Sequence, residues 1–123
     1  MNQRLLGLAG VLAGLAVVLG AFGAHGLQTR VSEHFLTVWQ TAVRYQMWHA
    51  LGLGLIAAAE KDLPGLRWSA RLMLAGIVVF CGTLYLLVLS GWRWLGMITP
   101  IGGLALIAAW MLLAWKCWRG KHA

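Results

Sequence analysis

Four apolar stretches, parted by short polar ones, occupy almost the whole chain. They run from about Leu5 to Ala24, Thr41 to Ala59, Arg67 to Leu89 and Gly96 to Trp115. Each is close to the roughly 20 residues that a helix needs to cross a ~30 Å hydrocarbon layer. The pattern predicts an all-α fold, a four-helix transmembrane bundle forming a single membrane domain over residues 1–123. Ser32 has the side chain of an N-cap, so the second helix should start well before its apolar part. From Ser32 to Ala59 is ~42 Å at helical rise. Glu33 to Gln40 is therefore expected as an interfacial helical extension ahead of helix two. Pro64-Gly65 punctuates the turn after that helix. Pro100 falls in the first turn of the last helix, where its missing N–H costs little.

Composition strengthens this reading. The 123 residues are 61% hydrophobic and 11% charged, with mean hydropathy +0.78. A soluble domain carries about 25% charged residues. The net charge of +7 does not point to nucleic acid, because Lys and Arg gather at segment ends, where they orient membrane helices. If the termini and the middle loop share one side, that side holds Arg4, Lys61, Arg67, Arg71, Lys116, Arg119 and Lys121, and the other holds Arg30, Arg44 and Arg93. The excess of basic residues places the N and C termini in the cytoplasm. Trp68, Trp115 and Trp118 then belong to an inner interfacial belt, and Trp39, Trp92 and Trp94 to an outer one. The first apolar run is longer than the core of a signal peptide and is read as a retained helix. Cys81 and Cys117 should lie at different depths, which disfavours a disulfide.

Helix one is rich in small residues, with Gly10 and Gly14 as a GxxxG pair and Gly20 and Gly23 further on. Such spacing lets helix backbones approach closely in lipid. This helix is expected to be the packing spine, either within the bundle or between protomers.

With that orientation, the polar side chains converge. His25 ends helix one on the outer side, and Arg44, Gln46 and His49 begin the membrane part of helix two there. Tyr85 lies toward the outer end of helix three, and Thr99 opens helix four. The inner half is almost wholly aliphatic. Arg44, Gln46, His49, Tyr85 and Thr99 are therefore expected to line a polar pocket or network in the outer half, with His25 at its rim. Arg44 reads either as an anchor to lipid phosphate or a carbonyl, or as a ligand-binding cation. His49 reads as a neutral, hydrogen-bonded packing residue or as a proton carrier.

The acidic residues Glu33, Glu60 and Asp62 all fall in loops or at helix ends. A proton-coupled cation exporter needs a carboxylate within the membrane, and none is present. There is no nucleophile–base set, no carboxylate pair and no phosphate-binding loop, so an enzyme is not expected. His25, His34 and His49 match no metal-ligand spacing, and neither a metal nor another cofactor is expected.

Several of these residues sit in recognisable motifs. Gly20-Ala21-Phe22-Gly23-Ala24-His25-Gly26, Trp39-Gln40-Thr41-Ala42-Val43-Arg44-Tyr45-Gln46 with His49-Ala50-Leu51, Gly82-Thr83-Leu84-Tyr85 and Ile98-Thr99-Pro100-Ile101-Gly102-Gly103 follow in order. In these the chain resembles the domain-of-unknown-function 423 membrane proteins of the YgdD/YwdK type, similar to eukaryotic transmembrane protein 256. The resemblance covers nearly the whole chain and implies a small multi-pass protein of a bacterial inner membrane. It implies no biochemical activity. The family often has a serine where this chain has Cys81, which weakens any role needing a hydroxyl there. The leading reading is a non-enzymatic membrane protein whose outer-half pocket binds a lipid, a small molecule or a partner helix. An oligomeric channel or carrier is the alternative, and a haem- or redox-linked subunit is third. Expected partners are membrane lipids and either a second copy or another membrane protein.

Overall fold

The computed structural model describes residues 2–120. Helix α1, Gln3–Phe22, continues into a π-helical turn, Gly23–Leu27. Helix α2 is Glu33–Ala59. The third crossing is built from α3, Arg67–Gly76, a π-helical turn, Ile77–Cys81, and α4, Gly82–Ser90. A 3₁₀ turn, Arg93–Met97, leads into α5, Thr99–Gly120.

Local chemistry explains the boundaries. The Asn2 side chain accepts from Leu5 N–H at 3.0 Å and caps α1. Ser32 accepts from Phe35 N–H at 3.1 Å and caps α2, with Glu33 favourably placed in its positive first turn. Gly91, at φ 75°, ends α4 in the left-handed conformation that favours glycine. The expected extension and the membrane part of helix two form one continuous helix. Helix four was expected from Gly96 to Trp115; instead a 3₁₀ turn takes up Gly96, and α5 runs on to Gly120.

Three stretches, Gln3–Leu27, Arg67–Ser90 and Arg93–Gly120, are long and apolar enough to cross a membrane. α2 is as long but less apolar, because it carries Gln40, Thr41, Arg44, Gln46 and His49. It is also central: α2 packs on α1, α3 and α4, while α5 packs mainly on α3 and its π turn. The main core holds Leu53, Ile56, Met73, Ile77, Leu106 and Ala109. A smaller cluster of Leu27, Trp39 and Val88 closes the end that carries the α1–α2 and α4–α5 connections, here termed the far end. The opposite, basic end holds Asn2, Glu60 and Gly120. There Asn2 N–H donates to Ala57 O at 3.1 Å, and the Asn2 amide donates to Glu60 at 3.0 Å. Apolar side chains such as Val17, Leu55, Val78, Leu104 and Ile107 face outward, about 60% exposed. That is the surface a lipid solvent calls for.

Close packing falls on glycines other than the GxxxG pair. A Cβ on Gly52 would meet Met73 and Trp110, one on Gly76 would meet Leu106, and one on Gly102 would fall on the Phe80 backbone. On α1, Gly20 faces Val43 and Gly23 faces Trp39, but a Cβ on Gly7, Gly10 or Gly14 would meet nothing within 4 Å. Within the bundle, the close glycine contacts expected of helix one therefore occur at Gly20 and Gly23, toward its end, although α1 also packs on α2 through Ala9 and Ala16. Spacing makes close approach feasible, but Gly10 borders a groove against Ala50 and Gly54 of α2 without touching it, and Gly14 is exposed.

Candidate functional site

The Gln46 side chain is the centre of the polar structure. It is 4% exposed, and α2 points it at two other helices. Its Nε2 donates to the Leu12 carbonyl of α1 at 2.8 Å, and its Oε1 accepts from the Tyr85 O–H of α4 at 2.7 Å. A carbonyl inside a helix has a second lone pair for such a bond. One amide therefore links three helices.

Trp39 extends this crosslink toward the far end. Its ring lies 4.7 Å from Tyr85, and its indole N–H donates to Leu19 O at 2.8 Å. Gly23 makes room for it, since a Cβ there would lie 2.6 Å from the indole. Trp39 is thus 2% exposed and does not belong to the outer interfacial belt expected of it, unlike the exposed Trp92 and Trp94. The missing β-carbon at Gly23 lets the ring enter the bundle and gives its N–H an acceptor there.

The other expected site residues lie elsewhere. Buried His49 donates from Nδ1 to Tyr45 O at 2.7 Å; a carbonyl only accepts, so the proton sits on Nδ1. Its ring packs between Tyr45 and Trp110, each at 5.8 Å. Thr99 pairs with Thr83 at 2.6 Å, joining α4 to α5, and these hydroxyls also reach Leu95 O and Phe80 O. Arg44 and His25 are exposed, and among the described residues neither makes a side-chain hydrogen bond. The structure thus brings Gln46 and Tyr85 together, sets His49 and Thr99 in two separate contacts, and leaves Arg44 and His25 on the surface. A single shared pocket does not form, because Gln46, His49 and Thr99 each bond to different partners while Arg44 and His25 face outward.

Sequence reasoning passed over Thr83, Ser69 and the Leu12 carbonyl. Ser69 donates to Ala109 O at 2.7 Å and ties α3 to α5. It stands beside Trp68 with Arg67 and Arg71 close by, so its neighbours in sequence did not mark it as buried. Among the described residues, every fully buried side-chain N or O has a hydrogen-bond partner. No three His, Cys, Asp or Glu among them group as metal ligands. Cys81 is buried, Cys117 is exposed, and both are free thiols.

A lipid-facing groove of about 290 Å³ runs beside the crosslink, between α1 and the third crossing. Leu12, Leu15 and Leu19 form one wall, Val78 and Cys81 the other, and Gln46 and Tyr85 lie at its floor. The lining is almost wholly hydrocarbon, because the amide and phenol turn their polar atoms to each other and to Leu12 O.

A family model described as protein of unknown function, DUF423, matches residues 19–103. That span includes Trp39, Gln46, Tyr85 and Thr99. The chain is 46% identical over 109 residues to the UPF0382 membrane protein YwdK of Bacillus subtilis strain 168, covering 86% of this chain and 89% of the relative. It is 47% identical over 100 residues to a UPF0382 membrane protein of Staphylococcus aureus strain bovine RF122, covering 80% and 82%. No solved structure matches it.

Proposed function

We infer a non-enzymatic, ligand-holding role for this chain, which belongs to the DUF423 family of bacterial membrane proteins. The groove between α1 and the third crossing holds a hydrophobic molecule drawn from the bilayer. The observation that carries this reading is an almost wholly hydrocarbon groove, open along the outside of the bundle beside the Gln46–Tyr85 bond. An apolar body then fits along Leu12, Leu15 and Leu19. A channel or carrier draws less support, since the buried polar side chains are engaged in bonds between and within helices.

The test is native mass spectrometry from mild detergent. Wild type should retain a defined adduct. Val78→Trp fills the groove from its lipid-facing wall, where Val78 is 62% exposed, and should lose the adduct without a change in thermal midpoint. Absence of an adduct from wild type, or equal retention by Val78→Trp, would refute the reading.

The same proposal places both termini in the cytoplasm, on the support of the basic residues gathered at one end. Exposed Cys117 reports on this directly. A membrane-impermeant maleimide should label it in inverted vesicles and not in intact cells. The reverse pattern would overturn the orientation.

A further inference from the structure

We propose that the basic end of the bundle carries a headgroup site for a zwitterionic aminophospholipid, where the turn after α2 meets the last turns of α5. A cavity of about 380 Å³ lies there, lined by Asp62, Leu63, Pro64, Trp115, Lys116 and Arg119. It is remote from the Gln46 groove and does not depend on that groove's occupant.

The charges are arranged for a ligand bearing both signs. Lys116 Nζ lies 5.6 Å from the Trp115 ring centroid, and the Arg119 guanidinium carbon lies 4.9 Å from the same centroid. One ring thus carries two like charges, and an anion in the cavity that both line would relieve their repulsion. Among the described residues neither cation has a carboxylate within 4.0 Å. Asp62 lines the same cavity, so cations and carboxylate face one space without closing on each other. A phosphate fits the cations, and an ammonium joined to it by a short linker fits Asp62. Phosphatidylglycerol carries the same phosphate charge but no ammonium for Asp62, and the quaternary ammonium of phosphatidylcholine has no N–H to donate to it.

The surroundings favour a lipid over a free phosphate. Ile107, Met111 and Trp115 recur every fourth residue, which places them along one side of α5. They are 59%, 61% and 50% exposed. They form an apolar track leading away from the cavity along which acyl chains can lie. Gly65, at φ 100°, forms the turn beside Lys116, whose Nζ lies 3.8 Å from where a Cβ would be. The lysine therefore passes over bare backbone.

The test is lipid retention by native mass spectrometry. The full chain is reconstituted in nanodiscs of equal parts phosphatidylethanolamine, phosphatidylglycerol and phosphatidylcholine, then released. Wild type should retain phosphatidylethanolamine in preference to the other two. Lys116→Gln with Arg119→Gln should cut retention of that lipid about tenfold, the effect of losing one to two charge-assisted hydrogen bonds. Asp62→Asn, at an exposed position, should abolish the preference for phosphatidylethanolamine over phosphatidylglycerol while keeping total bound phospholipid. Arg93→Gln, at the far end, should behave as wild type. Phosphatidylglycerol bound as well as or better than phosphatidylethanolamine by wild type would overturn the proposal. So would unchanged retention in the cation variants, or displacement of the lipid by inorganic phosphate alone.

Discussion

The two halves of α1 carry the same small residue at similar spacing and differ in what stands opposite. In the first half Gly7, Gly10 and Gly14 face open space, and a shallow groove along Leu6, Ala9 and Gly10 against Ala50 and Gly54 is all that borders them. At the other end Gly20 rests on Val43, and Gly23 receives the indole of Trp39. A glycine becomes a packing residue when a bulky neighbour with a bond to make is aimed at it. Trp39 is such a neighbour, because its N–H finds Leu19 O only by crossing the gap that Gly23 leaves. Small-residue spacing alone identifies where helices are able to approach, not where they do.

Three glycine substitutions and one at Gln46 sharpen the contrast, taken by size of effect in reversible unfolding from mild detergent. Gly102→Ala extends the contrast to its hardest case, since the new methyl falls on the Phe80 backbone, which has no rotamer to change. It should cost about 3 kcal/mol, the upper part of the overpacking range. Gly23→Ala should cost about 2 kcal/mol, because the Trp39 ring is able to shift but only by stretching its bond to Leu19 O. A shifted tryptophan emission should accompany the loss, and an emission spectrum like wild type would mean that the ring was not displaced. Gln46→Leu removes two interhelical bonds without adding bulk and should cost about 1 kcal/mol, given the modest value of such bonds in lipid. Gly14→Ala should fall within about 0.5 kcal/mol of wild type, as expected at a surface position. A larger loss there, or a change in the mass of the detergent-solubilised particle, would mean that the open face is used between copies.

Much of this architecture was legible in the chain, and the reasons are local. The Ser32 cap, the Pro64-Gly65 turn and the place of Pro100 each depend on a few adjacent residues. So does the helical length of each crossing. The residues of the crosslink were also singled out, since Gln46 and Tyr85 are polar groups in apolar surroundings. Their partners were harder to read. Gln46 reaches a main-chain carbonyl, and every residue has one, so nothing marks Leu12 as the acceptor. The gathering of His49, Thr99 and Arg44 into one pocket failed because depth in the membrane was known while rotation about each helix axis was not. Arg44 and Gln46 are two residues apart and leave α2 on different faces, one exposed and one buried. Trp39 misled for a similar reason: depth suited an interfacial belt, and rotation carried it inside.

Rotation is also what the π-helical turn at Ile77–Cys81 controls. In an α-helix each residue advances the azimuth by ~100°, and a π turn accommodates one additional residue without lengthening the helix by a full turn. The third crossing is therefore two half-helices on one axis, set at different bearings. The half before the turn aims Gly76 at Leu106 and Ser69 at Ala109; the half after it aims Thr83 at Thr99 and Tyr85 at Gln46. Winding this turn into regular α-helix with every residue kept would leave the crossing long enough to span the bilayer. It would also swing Tyr85 off the amide, so that a change invisible to a hydropathy plot acts as a quarter-turn of a key.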